Sequence, residues 1–255
     1  MASIFLDRFI TYFNTWFLIY IFGVIVCFGF IYKLRYVRVR KIQKQPSAPK
    51  LEIRQLLHAV VYAFTLSIMG LGLVYLIITG RTKLDILPEN ISLIWTLFGV
   101  VIYLIGFDFY FYFFHRLMHT KLFYPFHKLH HSVETPTVLT VFCVHPVEVF
   151  ILYLYHILFI TVIPTYPHVL AISALFIHQG NLTGHLGFEL FPKSFSQKFP
   201  LISTATYHDL HHQKINVNYG YFFLFLDRFF KTSYADYQRV YQAVFETNSV
   251  RKDIS

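Results

Sequence analysis

The stretch from Phe107 to Val133, FDFYFYFFHRLMHTKLFYPFHKLHHSV, decides how this chain is read. An apolar, aromatic run ends abruptly in five histidines: His115, His119, His127, His130 and His131. Further along, His208, His211 and His212 repeat the spacing of the last three. Residues three or four apart share one face of a helix, so HRLMH, HKLHH and HDLHH each gather their imidazoles. Neutral imidazole is the commonest protein metal ligand. Eight of them exceed the needs of one ion and suit two adjacent ones. Burying so many polar rings without partners would cost on the order of 1–3 kcal/mol each, which disfavours a purely structural role.

Composition places this site at a membrane. Of the 255 residues, 56% are apolar and only 14% charged, with 30 Phe and 19 Tyr. A soluble domain could not cover that much apolar surface. The net charge is +9, but it is concentrated: Lys33 to Arg54 holds eight Lys or Arg and one acid, Glu52. Lying between two apolar runs, this stretch reads as a cytoplasmic loop and not as a nucleic-acid surface. Cys27 and Cys143 have no metal or disulfide spacing and read as small core residues.

A helix crossing a ~30 Å hydrocarbon core needs about 20 apolar residues. Phe13–Tyr32, Leu57–Ile78 and Ile91–Phe114 satisfy that. The first carries no short apolar core followed by a small-residue cleavage site, so a retained anchor is expected. Leu87-Pro88-Glu89-Asn90 reads as a turn. Val149–Ile163 and Val169–Ile177, separated by Pro164-Thr165-Tyr166-Pro167, form a helical hairpin that either dips into the membrane or crosses it. With the basic loop cytoplasmic, both histidine clusters fall on the cytoplasmic face. The expected architecture is an all-α integral membrane protein: about three full transmembrane helices, a short helical hairpin, and a cytoplasmic histidine-rich helical cap holding a di-metal site.

Other residues could complete the site. His178 and His185 lie seven apart in HQGNLTGH, on one helix face, and could complete the ligand set. Asp108 stands seven before His115, and a carboxylate inside a membrane helix is functional by default; its expected role is to accept the second N–H of a ligating imidazole. His145 and Glu148, in HPVE, are a further surface pair, with Glu148 behind a ligand. His58, His156 and His168 are isolated and read as structural. In HRLMH, Arg116 occupies the position of the carboxylate in HExxH, which disfavours a zinc protease. Nitrogen-only ligation suits Fe, Zn, Cu or Ni.

Asp108–His119, HKLHH, VHPVE, HQGN, ATYHDLHH and NYGYFFLFLDRFFKT together resemble, in order, the fatty acid hydroxylase / sterol desaturase superfamily of membrane di-iron enzymes. The resemblance covers about Asp108 to Thr232. The family's closing pattern runs Asn…Gly…Trp-Asp-Arg…Phe-Gly-Thr. Asn218, Gly220, Asp227, Arg228, Phe230 and Thr232 match it, whereas Leu226 replaces Trp and Lys231 replaces Gly. The resemblance implies ligands at the three boxes, with Asp209, Asn218 and Asp227 behind them. It implies two iron ions, for which zinc can substitute, and O2 as co-substrate, oxidising an alkyl C–H bond of a lipid. Residues 1–90 are then a membrane anchor region, 91–236 the hydroxylase-like catalytic region and 237–255 a C-terminal tail read as a surface helix with a frayed end.

Hydroxylation needs external electrons. The His-Pro-Gly-Gly haem motif of relatives with a fused cytochrome b5 domain is absent, so a separate donor is expected: cytochrome b5, a ferredoxin or a reductase. The expected location is the endoplasmic reticulum in a eukaryote or the inner membrane in a bacterium. Two readings of other classes stand beside this one. A di-zinc membrane hydrolase would turn over without O2, and a non-enzymatic metal carrier would distribute its histidines through the membrane.

Overall fold

The computed structural model describes residues 40–43, 49–86, 92–133, 135–136 and 138–246. The expected first span Phe13–Tyr32, most of the basic loop, the Leu87–Asn90 turn and the residues after Glu246 lie outside them. Among the described residues all regular structure is helical: nine α-helices and one 3₁₀ turn.

Among the described residues, two helices are long and apolar enough to cross a membrane. The first, α1 (Pro49–Ile78), contains the apolar segment Leu57–Ile78. The second, α2 (Leu93–Met118), starts at Ser92, whose hydroxyl caps the backbone N–H of Trp95. It continues past the expected end at Phe114 to bring His115 into its last turn. Leu57, Phe64 and Leu71 of α1 and Leu93, Ile94 and Phe98 of α2 point outward, fully apolar and exposed. Such stripes call for an apolar surrounding, as a bilayer provides.

The hairpin consists of α3 (Pro146–Val162) and α4 (Pro167–Gly184), each with proline in its first turn, where the missing N–H costs nothing. Its turn meets the loop between α1 and α2: Lys83 N–H donates to Ile160 O at 2.7 Å and Asp85 N–H to Thr165 O at 2.9 Å. The hairpin therefore reaches the end of α2 opposite the histidines. Tyr103 and Phe107 of α2 pack with Tyr155, Phe159 and Ile160 in the shared core. Two of the isolated histidines, His156 and His168, are satisfied there. His156 hydrogen-bonds the Tyr103 hydroxyl, and His168 pairs with Thr96 Oγ1 at 2.9 Å.

The cap is assembled from short helices: α5 (Tyr124–His131), α6 (Phe195–Lys198), α7 (Ala205–Lys214), α8 (Phe225–Phe229) and α9 (Tyr237–Glu246). Thr204 caps α7 through Tyr207 N–H. The helix α9 is no free surface element. Tyr237 and Tyr241, one turn apart, are buried against Tyr207, Leu210 and Leu224, and Tyr241 donates to Pro192 O at 2.9 Å. It braces the back of α7.

Among the described residues, three that are not glycine adopt left-handed backbone: Ile215 (φ 65°), Asn218 (φ 60°) and Lys231 (φ 57°). Lys231 stands where the family pattern carries glycine, at the turn after α8. Left-handed backbone costs a side chain about 1–2 kcal/mol, partly offset by glycine's greater freedom when unfolded. Lys231→Gly is expected to raise stability by up to about 1 kcal/mol, read as a higher midpoint in thermal unfolding with no change in metal content.

Candidate metal centre

Nine histidines converge into two groups. His115, His119, His127, His131 and His211 form one; His130, His185, His208 and His212 form the other. Within each, one nitrogen per ring lies within 4.8 Å of all the others. The ends of α2 and α5 supply four members of the first group, and α7 supplies three of the nine. The two HxxHH boxes divide in the same way. His127 and His131, four apart, share the first group, and His208 and His212, four apart, share the second. The middle histidine of each box crosses over: His130 to the second group, His211 to the first. The adjacent pairs 130/131 and 211/212 thereby tie the groups together, with the His131 and His212 rings 4.8 Å apart.

Backbone carbonyls fix three tautomers. His115 Nδ1–H donates to Tyr219 O at 3.0 Å, His211 to Val217 O at 2.6 Å and His185 to Asn181 O at 2.7 Å. A carbonyl can only accept, so each Nδ1 carries the proton and each Nε2 is a bare lone pair. The bare Nε2 of His211 lies 3.2 Å from His119 Nε2 and 3.0 Å from His131 Nε2. That of His185 lies 3.2 Å from His130 Nε2 and 3.0 Å from His208 Nε2. Two nitrogens on one ion at about 2.1 Å and at right angles stand about 3 Å apart. His127 Nε2 is buried with no hydrogen-bond partner. A cation at each focus satisfies these lone pairs together, so the residues present fit a two-metal centre.

Electrostatics keeps the donors neutral. Burial, reinforced by neighbouring imidazoles, holds His127, His130, His208, His211 and His212 well below the ordinary histidine value. The same causes bring His119 to about 2 and His131 to about 3. Burial brings His185 to about 4, against its bond to Asn181.

The carboxylates act at different depths. Glu148, buried at the start of α3, places Oε1 2.9 Å from His127 Nδ1. A carboxylate behind a ligating imidazole raises its basicity and fixes its orientation. Glu148→Gln is expected to weaken metal retention about 10- to 100-fold, measured as metal lost on dialysis against a graded chelator series. Unchanged retention would remove Glu148 from the site.

Asp108 does something other than the expected contact to an imidazole. Its Oδ1 accepts from the backbone N–H of Phe222 at 2.7 Å and Phe223 at 3.2 Å, while the histidine one stripe above, His115, is held by Tyr219 O. Asp227 accepts from Tyr219 N–H at 2.9 Å, Gly220 N–H at 2.7 Å and the Thr232 hydroxyl at 2.6 Å. Asn218 donates to Tyr207 O and accepts from Tyr234 N–H. These three side chains pin the loop 217–223, and that loop delivers the carbonyls that orient His115 and His211. Gly220 is required there: a Cβ would come within 2.5 Å of Phe223 O and 2.8 Å of Asp227 Oδ2.

The remaining expected residues stand further off. His178 is in neither group; it lies on α4 near enough to His156 to interact with it electrostatically. His145 caps α3, its Nδ1 accepting from Val147 N–H at 3.2 Å. Asp209 accepts from Gln43 at 2.9 Å and also from Gln213, tying α7 to the basic loop itself; burial raises it to about 6. Glu189, which the sequence reading missed, is fully buried and accepts from the Thr206 N–H and hydroxyl and from Phe191 N–H, anchoring the first turn of α7. Nothing in its local sequence, FELFP, signals that role.

Comparison with known proteins agrees with this geometry. A sequence profile of the fatty acid hydroxylase family matches residues 100–232. A protein named as a methylsterol monooxygenase in Dictyostelium discoideum is 31% identical over 70% of this chain and 62% of its own length. A Delta(7)-sterol 5(6)-desaturase of Gibberella zeae is 28% identical over 85% of this chain and 60% of its own. A very-long-chain aldehyde decarbonylase of Oryza sativa is 31% identical over 75% of this chain and 73% of its own. The chain thus spans somewhat under two thirds of the first two relatives. No solved structure matches. The profile match, covering just over half of the chain and all nine grouped histidines, shows that the chain belongs to the fatty acid hydroxylase / sterol desaturase superfamily.

Proposed function

We propose that this chain is a membrane-bound di-iron oxygenase that uses O2 to hydroxylate or desaturate an alkyl C–H bond of a lipid, such as a sterol or a fatty acyl chain. The observation that carries the proposal is the pair of all-imidazole groups at the end of an apolar helix long enough to span a membrane. His115, His119, His127, His131 and His211 would hold one ion and His130, His185, His208 and His212 the other. Bound there, iron supplies O2 activation and the redox capacity to oxidise an unactivated C–H bond; zinc can occupy the same nitrogens without that capacity.

The chain's own residues do the rest. The carbonyls of Tyr219, Val217 and Asn181 keep three imidazoles in the ligating tautomer, and Glu148 steadies His127. Neutral imidazoles add no negative charge, which leaves the ions electrophilic. Rings of Phe111 and Tyr219, 5.0 Å from His115 and 5.2 Å from His119, wall the centre from water. An apolar groove of about 370 Å³, lined by Phe109, Tyr110, Phe113, Phe114 and Leu117 of α2 and by Ile151 of α3, lies along the last turns of α2, the helix that carries His115. It offers a lipid tail a route from the bilayer to the centre. Electrons come from a separate donor, a cytochrome b5, a ferredoxin or a reductase, on the cytoplasmic face.

The rice relative supports a second substrate class, a long-chain aldehyde. Comparative lipidomics of cells with and without the chain, grown under ¹⁸O2, separates the readings. One labelled oxygen in a lipid means hydroxylation, loss of two hydrogens means desaturation, and a hydrocarbon one carbon shorter means aldehyde cleavage. No lipid difference, or turnover that persists under strict anaerobiosis, would sink the oxygenase reading.

A further inference from the structure

The cap carries an exposed patch that metal chemistry does not use. Phe229 is 78% exposed and Phe199 50%, an unusual state for phenylalanine in water. The patch joins the lipid-facing stripe of α2. Phe113 of that stripe packs against Phe230 with ring centres 5.7 Å apart, and Phe109 packs against Phe225 at 5.1 Å. It extends to Leu201 and Ile202, held beside α8 by Leu224 N–H to Leu201 O at 2.8 Å and by an Ile202–Phe223 bridge.

Its charges have one sign. Arg116, Lys198, Arg228 and Lys231 are exposed along its rim. Arg116 lies over the Phe230 ring at 5.5 Å, and Arg228 donates to Pro200 O. Between Lys193 and Ala235 the only acids are Asp209 and Asp227, both fully buried. Apolar rings set beside cations, continuous with a membrane-facing helix, match the boundary between acyl chains and anionic headgroups. An acidic protein would match the charge but leave Phe229 and Phe199 against water or a polar surface.

We infer that the α8 rim, together with the 198–202 segment, is an interfacial seat that binds anionic phospholipid. Phe199 and Phe229 enter the acyl boundary, while Lys198, Arg228 and Lys231 take the phosphate-bearing headgroups. Asp227 lies in the same short helix and pins the loop behind His115 and His211. The seat therefore couples the lipid surface to the loop that orients His115 and His211, and it places the histidines at the depth where an alkyl chain leaves the bilayer.

The test uses the full chain reconstituted in nanodiscs of phosphatidylcholine with phosphatidylglycerol, reading retained lipid by native mass spectrometry. The wild-type chain is expected to retain phosphatidylglycerol above its bulk fraction. The triple variant Lys198→Gln/Arg228→Gln/Lys231→Gln is expected to lower that preference, by up to about fivefold per removed cation. Replacing Lys198 and Lys231 by Arg should keep it. The control Arg81→Gln/Lys83→Gln, in the loop at the far end of α2, should also leave it intact. All these side chains are exposed, so an unchanged thermal midpoint verifies folding. Equal retention of the two lipids by the wild-type chain, or an unchanged preference in the triple variant, overturns the inference. An equal loss in the Arg81/Lys83 control does so too, because the effect is then bulk charge.

Discussion

His211→Ala is expected to reduce bound iron from two to at most one per chain and to abolish turnover. His211 Nε2 sits between His119 Nε2 and His131 Nε2, at 3.2 and 3.0 Å. Its removal leaves the first group with a gap at its centre, and Val217 O loses its partner. Loss of a residue one layer behind a ligand costs about 10- to 100-fold in affinity or activity, so loss of the ligand itself should exceed 100-fold. Metal analysis and product assay on the same preparation check it, with helical circular dichroism unchanged. Full activity with two irons retained would exclude His211 from the centre.

Asp227→Ala is expected to be the most destabilising change outside the ligands. The carboxylate is fully buried and receives three hydrogen bonds. Truncation strands the N–H groups of Tyr219 and Gly220, each costing about 1–3 kcal/mol when buried and unpaired. A total loss of about 3–5 kcal/mol follows, in the range that marks a broken polar network. For a chain of this size that is on the order of 10 °C in the unfolding midpoint. Because the freed loop carries Tyr219 O and Val217 O, iron occupancy should fall with stability even though Asp227 touches no imidazole. A variant that lost stability while keeping full iron content would show that the loop does not orient the ligands.

Much of this was legible in the residues. Spacing identified the three boxes, because i, i+3 and i+4 must share a helix face. Hydropathy located α1 and α2, because a span must be long and apolar. What spacing could not give is how a box divides. All of HKLHH lies on one face, yet His130 leaves its neighbours for the second group, because the partner rings come from α4 and α7. The role of Asp108 was hidden for a related reason. Its partners are the N–H groups of Phe222 and Phe223, far along the chain, and backbone donors leave no signature in side-chain pattern. The carbonyls of Tyr219, Val217 and Asn181 are invisible in the same way. His178 has the right spacing to His185, but two turns lower on α4 it lies beside His156 instead.

Other features carried a signal that went unread. Tyr237, Tyr241 and Val244 recur at helical spacing and mark α9 as packed, although its mixed charges suggested a surface helix. The pairing of the hairpin turn with the Lys83–Asp85 loop could not be inferred, since both segments are short and polar. It explains how arms of only 17 and 18 residues can accompany α2 along its length.

The most direct test is the metal content of the purified full chain after iron loading under anaerobic conditions and removal of loosely bound metal. Two irons per chain are expected, one in each imidazole group, with Mössbauer parameters of nitrogen-ligated non-haem iron. A stoichiometry of one or zero under those conditions would contradict the two-metal centre on which the proposed chemistry depends.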